Sequence, residues 1–355
     1  MKTSDANNSA QGVTAALQSA WLTRGWLACV LWPASRLYGL LINIRRALSR
    51  YRIFKTTRIA VPVLVVGNVV AGGAGKTPLV MALAHHLQSR GMKVGIVSRG
   101  YGRRSKACQE VRPDTPVAES GDEPALVKQL TNAPVFVAAQ RVDAAQALLQ
   151  AYPETQVLLC DDGLQHYALA RDIEVAVFDD RGVGNNWLLP AGPLREPWPE
   201  RLRGGIDLVL HSGKAPAFDG FTSTRQLADH AVDAGGRKVQ LSSLQGKPLV
   251  ALAAIANPDA FFAMLSACGL TLGRTLGLPD HHDFSGFTLD VAKDVTVLCT
   301  EKDAVKLFRL PAMASIRLLA VPLHFLPSPD FFVALDVLLA PLRYRFSQLP
   351  SRHGH

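Results

Sequence analysis

A chain of 355 residues with a 48% hydrophobic composition holds enough core-forming material for two modest domains. Five cysteines, Cys29, Cys108, Cys160, Cys268 and Cys299, show no paired spacing, which argues for a reducing compartment and against a structural zinc site. The net charge of +9 is uneven: eight basic residues (Arg24, Arg36, Arg45, Arg46, Arg50, Arg52, Lys55 and Arg58) and no acidic one lie between Trp21 and Ala60. A basic excess confined to one segment, rather than spread over the fold or set beside stacking aromatics in a groove, argues against nucleic acid as a partner.

In chain order, residues 1–18 are polar and are expected to be disordered, with no cleavable signal peptide evident. Residues 19–58 alternate arginines with apolar blocks that include Trp26, Trp32 and Tyr38, the pattern of a basic amphipathic helix lying at an anionic membrane surface. Pro33 and Arg36 interrupt the roughly 20 apolar residues that a spanning helix needs, so peripheral attachment is expected. The competing possibility is an amphipathic helix packed on its own domain.

Residues 61–87 form the centre of the chain. The apolar run Val63–Val66 reads as a buried parallel strand, and Leu79, Leu83 and Leu87 repeat at helical spacing. Between them a glycine-rich turn ends in Gly75-Lys76-Thr77, with Pro78 in the first helical turn. This is the strand, loop and helix of a P-loop, whose backbone N–H groups face a nucleoside triphosphate while the lysine reaches the β- and γ-phosphates and the threonine hydroxyl binds Mg²⁺. Val70 stands where the common loop has its first glycine, and Gly67, Gly72 and Gly73 supply the flexible positions.

Further apolar runs at residues 93–98, 134–138, 156–160, 173–178 and 206–211 alternate with helical patterns. They predict an α/β fold with a mostly parallel sheet and helices on both faces, ligands binding at the carboxyl ends of the strands. A polar, turn-rich stretch at residues 235–246 suggests a boundary near Gln245, giving a kinase-sized domain at 59–245 and a smaller α/β domain at 246–355. The latter is expected to hold strands near 248–256, 271–276, 295–300 and 316–321 and a last helix at about 329–346.

The strand ending in Asp161 and Asp162 is where a carboxylate for Mg²⁺ belongs downstream of a P-loop. The loop Ser98-Arg99-Gly100-Tyr101-Gly102-Arg103-Arg104 should face the nucleotide-side crevice, where arginines suit phosphate groups, although a solvated basic loop is an equal alternative for Arg103 and Arg104. In Asp280-His281-His282-Asp283, neighbouring side chains of an extended segment point to opposite sides, so one of the two histidines is expected at a given site.

The ordered set of Gly67-Asn68 through Gly75-Lys76-Thr77-Pro78, Ser98-Arg99-Gly100-Tyr101-Gly102, Gly121-Asp122-Glu123-Pro124, Asp161-Asp162-Gly163-Leu164-Gln165-His166, Gly192-Pro193-Leu194-Arg195-Glu196-Pro197, Asp280-His281-His282 and Thr300-Glu301-Lys302-Asp303 resembles the tetraacyldisaccharide 4'-kinase family of lipid A biosynthesis. The resemblance implies transfer of the ATP γ-phosphate to the 4'-hydroxyl of a tetraacylated glucosamine disaccharide 1-phosphate, giving lipid IVA on the cytoplasmic face of the inner membrane. No protein partner is inferred from the sequence. Carried onto this sequence, the nucleotide loop comprises Val70, Ala71, Gly72, Gly73, Ala74, Gly75, Lys76 and Thr77. The catalytic carboxylate falls on Asp122 and its partner histidine on His281, with Lys76 on the phosphates. Thr77, Asp161, Asp162 and Glu196 are the candidates for Mg²⁺. Asp122 and His281 fall on opposite sides of the expected boundary, so their meeting is expected to need the two domains to approach.

A regulatory P-loop GTPase is the main rival, but a guanine-specifying N/T-K-x-D motif places lysine two residues before aspartate, whereas Lys302 directly precedes Asp303. The Asp179 to Gly182 match to Asp-x-x-Gly is too short to carry weight. A non-enzymatic membrane protein with a relic nucleotide fold would leave the Asp122 and His281 motifs unexplained.

Overall fold

The structure, a computed structural model, describes residues 19–51, 53, 56–199 and 206–347. The segment 1–18, expected to be disordered, and Arg52 and Lys55 of the basic stretch lie outside the described residues. The chain divides into two units: Met1–Ile96, Pro153–Ser223 and Pro327–His355 form the first, and Val97–Tyr152 and Thr224–Leu326 the second. This is not a single cut near Gln245. The polar stretch that suggested one contains the edge strand Lys238–Gln240 and a 3₁₀ turn, Leu241–Leu244, whose two leucines are buried.

In the first unit Val63–Gly67, buried at all five positions, lies between Val157–Asp161 and Ile173–Phe178 and runs parallel to both. Leu208–His211 pairs in parallel with Ile173–Phe178, outside it. Strands buried on both faces read as continuous apolar runs, which is why the sequence announces them so directly. The register sets Asp161 opposite Val66 and Ala176 opposite Gly67, so the ends of three strands meet where the glycine-rich loop leaves the sheet. The helix Lys76–Ser89 covers this sheet with Leu79, Val80, Leu83, Ala84 and Leu87. The last helix, Pro329–Ser347, buries Phe331, Leu335 and Leu339 at helical spacing. Its Asp336 meets His86 Nε2 at 3.1 Å and Arg90 Nη2 at 2.8 Å, so it belongs with the strands around the glycine-rich loop and not with a separate C-terminal domain.

The basic segment forms one helix, Trp26–Arg50, that continues through Pro33. Ala28, Ser35, Gly39 and Arg46 share its buried face and rest on the loop around residues 185–197. Ser35 Oγ donates to the Leu188 carbonyl at 2.7 Å, and Trp21 Nε1, just before the helix, donates to the Pro190 carbonyl at 2.9 Å. Trp26, Val30, Trp32, Leu37, Leu40, Leu41 and Ile44 remain exposed. By length and composition the Trp26–Leu48 stretch is able to cross a membrane.

The second unit is built on a six-stranded sheet ordered Lys238–Gln240, His230–Val232, Arg317–Val321, Thr296–Thr300, Leu249–Ala253, Arg274–Gly277. Its last four strands are parallel and its first two antiparallel additions. Strand alternation divides the core: Leu249, Ala251 and Ala253 enter one apolar cluster, Val250 and Leu252 the other. The helix Asp122–Thr131 belongs to this unit.

Candidate active site

In the first unit the glycine-rich loop is held at several points. Asn68 Nδ2 donates to the Gly72 carbonyl at 3.0 Å, while Asn68 Oδ1 accepts from Lys76 Nζ at 3.3 Å. Ser212 Oγ donates to the Ala74 carbonyl at 2.7 Å. Val70 forms an antiparallel bridge with Leu194, a β-pairing that suits a branched side chain where the common loop has glycine. On either side of it the Ala71 N–H donates to Pro193 and the Arg195 N–H to Val69. Gly75 enters the helix at φ +85°, a left-handed conformation that disfavours a β-carbon, and Thr77 is buried in the first turn. Gly72 and Gly73 are exposed, and nothing lies within 4 Å of a β-carbon built at Gly73.

The acidic strand end packs against this loop. Gly163 N–H donates to the Val66 carbonyl, and a β-carbon at Gly163 would sit 2.5 Å from Cys160 Sγ, so only glycine fits there. Asp161 is buried. Asp162 turns at φ +48° and brings Oδ1 to 3.6 Å from Lys76 Nζ and 3.5 Å from Arg195 Nη1. Glu196 is buried with both oxygens engaged: Oε2 pairs with Arg46 Nη2 at 2.8 Å and Oε1 accepts from Tyr167 Oη at 2.6 Å. The Gly192–Pro197 motif is therefore a bracket. One end is hydrogen-bonded to the glycine-rich loop and the other is ion-paired to the N-terminal helix.

The second unit holds the remaining candidate residues. Asp122 opens a helix after Gly121, whose φ of +88° and approach to the Tyr101 carbonyl, 2.9 Å from a built β-carbon, require glycine. The Ser98–Arg104 loop thus packs on the turn that presents Asp122, and Arg103 Nη1 donates to the Ala107 carbonyl at 2.7 Å while its buried Nη2 meets no hydrogen-bond partner among the described residues. His281 Nδ1 lies 3.2 Å from Asp122 Oδ2, and the Tyr101 ring sits 5.6 Å from the imidazole. Both partners belong to this unit, so the pair forms without the domain approach that a boundary near Gln245 had required. Residues 279–282 form a turn, closed by the His282 N–H donating to the Pro279 carbonyl, rather than an extended run. His281 adopts φ +60° and faces Asp122, whereas His282 Nδ1 accepts from the Phe284 N–H and its ring packs on Phe284 and Phe287. Burial alone would raise the Asp122 carboxyl, but hydrogen bonds from His281 and Lys306 outweigh it and hold the group below the ordinary carboxylate range.

Residues 27–340 match the family model for LpxK, tetraacyldisaccharide-1-P 4'-kinase. The chain belongs to this family. Tetraacyldisaccharide 4'-kinases from Polaromonas sp. strain JS666 and Polaromonas naphthalenivorans are each 66% identical to it, covering 94% and 96% of this chain and 98% of each relative. A crystal structure of LpxK from Aquifex aeolicus in complex with ATP superposes with a TM-score of 0.74 at 29% identity, covering 90% of this chain and 99% of that one. The 4'-kinase family that the ordered motifs suggested is thus the family found, and the α/β fold with it.

For this 4'-kinase family member the sequence singled out Lys76, Thr77, Asp122, Asp161, Asp162, Glu196 and His281. Lys76 and Asp162 meet in one unit, and Asp122 and His281 in the other. It missed Asn68, Arg195 and Ser212 around the loop and Lys302 and Lys306 beside the pair. Of these, Asn68, Arg195 and Lys302 lie inside the recognised motifs, and that was their only signal.

Proposed function

We propose that this kinase transfers the γ-phosphate of ATP to the 4'-hydroxyl of a tetraacylated glucosamine disaccharide 1-phosphate, giving lipid IVA at the cytoplasmic surface of the inner membrane. The observation that carries the reading is the Asp122–His281 contact, with Asp122 held ionised, in a chain that also owns a Gly-Lys-Thr phosphate loop. A sugar hydroxyl is a weak nucleophile whose proton must leave as its oxygen bonds to phosphorus. Asp122 accepts that proton. The hydroxyl oxygen forms the new bond to the γ-phosphorus, the bond to the β,γ-bridging oxygen breaks, and ADP departs with the electron pair. Lys76 and the loop amides hold the triphosphate, and His281 orients the carboxylate.

Thr77 with Asp161 and Asp162 offers hard oxygen donors beside the loop, which suits Mg²⁺. That ion takes one or two carboxylates and completes its shell with phosphate and water. Held by these residues, Mg²⁺ would supply charge neutralisation on the phosphates. Glu196, committed to Arg46 and Tyr167, braces the loop from behind. The exposed apolar face of Trp26–Arg50 and its arginines hold the enzyme at an anionic lipid surface, where its acceptor resides.

The test is ATP turnover and ATP binding by purified protein in detergent micelles containing the disaccharide acceptor. Asp122→Asn should lower turnover roughly 10²- to 10⁴-fold while ATP still binds, whereas Lys76→Ala should weaken both. Near-normal turnover by Asp122→Asn would remove it from the base role.

A further inference from the structure

Thr300-Glu301-Lys302-Asp303 opens the helix Glu301–Leu307 of the second unit. Thr300 caps it, accepting from the Asp303 N–H at 3.2 Å and donating to Asp303 Oδ2 at 2.6 Å, and the same oxygen accepts from the Ala254 N–H at 3.0 Å. The helix start is thereby pinned to the end of the strand Leu249–Ala253. Lys302 and Lys306, four residues apart, share one face, and their ammonium groups reach the two halves of the Asp122–His281 pair. Lys306 Nζ lies 2.5 Å from Asp122 Oδ2, donates to the His282 carbonyl at 2.8 Å and stands 5.9 Å over the Phe284 ring. Lys302 Nζ lies 2.8 Å from Asp280 Oδ1 and 3.4 Å from His281 Nε2.

A lysine ammonium only donates. The ring nitrogen that meets Lys302 must therefore present its lone pair, which leaves the proton of a neutral imidazole on Nδ1, the atom facing Asp122. The groups around the ring are consistent with this. Among the described residues the one other carboxylate near Nε2 is Asp280, whose Oδ2 is 3.9 Å away, beyond hydrogen-bond reach, while its Oδ1 accepts from Lys302. Asp122 Oδ2 then receives two donors, His281 Nδ1–H and Lys306, while Oδ1 receives none among the described residues. With the opposite tautomer, a lone pair on Nδ1 would face a carboxylate lone pair and the pair would lose its geometry.

We propose that Lys302 is a positioning residue that fixes His281 as the Nδ1–H tautomer and so, with Lys306 on the same oxygen, makes Oδ1 the proton-accepting atom of Asp122. This rests on the reading of Asp122 as the base. The experiment uses the full-length enzyme in micelles, with ¹⁵N NMR of the imidazole nitrogens and with kcat and KM for ATP and acceptor. His281 signals are assigned by their loss in His281→Gln. The wild type is expected to show protonated Nδ1 and unprotonated Nε2. Lys302→Met should bring in the Nε2–H form and lower kcat roughly 10- to 100-fold with both KM values unchanged, and Lys302→Arg, which still donates, should restore the tautomer and most of kcat. An unchanged tautomer in Lys302→Met overturns the inference, whether or not kcat falls, as does a raised KM with kcat intact. Asp122→Asn in the same assay separates the two ideas, because wild-type turnover there sinks the base reading itself.

Discussion

The N-terminal helix gives the sharpest quantitative test of how this enzyme meets its lipid. Its buried face is committed to the protein through Ser35, Gly39 and the Arg46–Glu196 ion pair. The opposite face leaves Leu37, Leu40, Leu41 and Ile44 between 47% and 60% exposed. Moving a whole aliphatic side chain out of water is worth about 1.5–3 kcal/mol. With about half of each of the four available to lipid, the quartet would contribute about 3–6 kcal/mol to membrane binding, or roughly 10²- to 10⁴-fold in partitioning. Replacing all four with serine should therefore abolish co-sedimentation with vesicles containing anionic lipid. Because the side chains are exposed, each substitution should change folding stability by only about 0.5 kcal/mol, and ATP turnover in detergent micelles should persist. Undiminished sedimentation of the quadruple variant would refute the reasoning. So would a collapse of its thermal stability, because the outer face would then be packed against protein rather than reserved for lipid.

The Arg46–Glu196 pair lies almost wholly out of water, so Arg46→Met should leave an uncompensated buried carboxylate and cost about 3–5 kcal/mol in denaturant unfolding. The double variant Arg46→Met, Glu196→Met should recover most of that loss, and an equally unstable double variant would contradict the account. Asp122 has a depressed folded-state pKa, so its contribution to stability is complete above the ordinary aspartate value near 3.8 and disappears as pH falls through the lower folded value. The stability advantage of wild type over Asp122→Asn in urea should accordingly be present at pH 7 and shrink on acidification below about pH 4. An advantage that does not change with pH would mean that Asp122 is not held ionised by its neighbours.

How much of this was legible depended on whether a feature writes itself locally. The strand Ile173–Phe178 coincides with its apolar run, and Leu249–Ala253 and Thr296–Thr300 fall within theirs, because a strand buried on both faces is mostly apolar, Glu174 being a buried exception paired with Arg171. The loop Gly72–Thr77 is equally local. The antiparallel strand His230–Val232 and the strand Phe221–Leu227 have exposed faces and mixed composition, so they gave no comparable signal. Pro33 looked like an interruption, yet docking of the Ala28, Ser35 and Gly39 face carries the helix through it.

Asp122 and His281 are 159 residues apart, and no spacing rule could join them. The resemblance named both, but the division of the chain into units was needed to see that no domain approach is required to pair them. Glu196 was legible as an acid near the loop, but its partner Arg46 was hidden among the many basic residues of the N-terminal helix. Lys302 and Lys306 were harder still, because lysines on a short charged helix look like a solvated face until Asp122 and His281 are set against it.

The most direct test of the central claim is the site of the new phosphate. Purified protein, magnesium and ATP should convert the tetraacylated disaccharide 1-phosphate into a product carrying one added phosphate on the 4'-oxygen, with one ADP formed per product and with GTP a poor substitute. No ATP consumption in the presence of that acceptor, or a phosphate attached at any other position, would contradict the account.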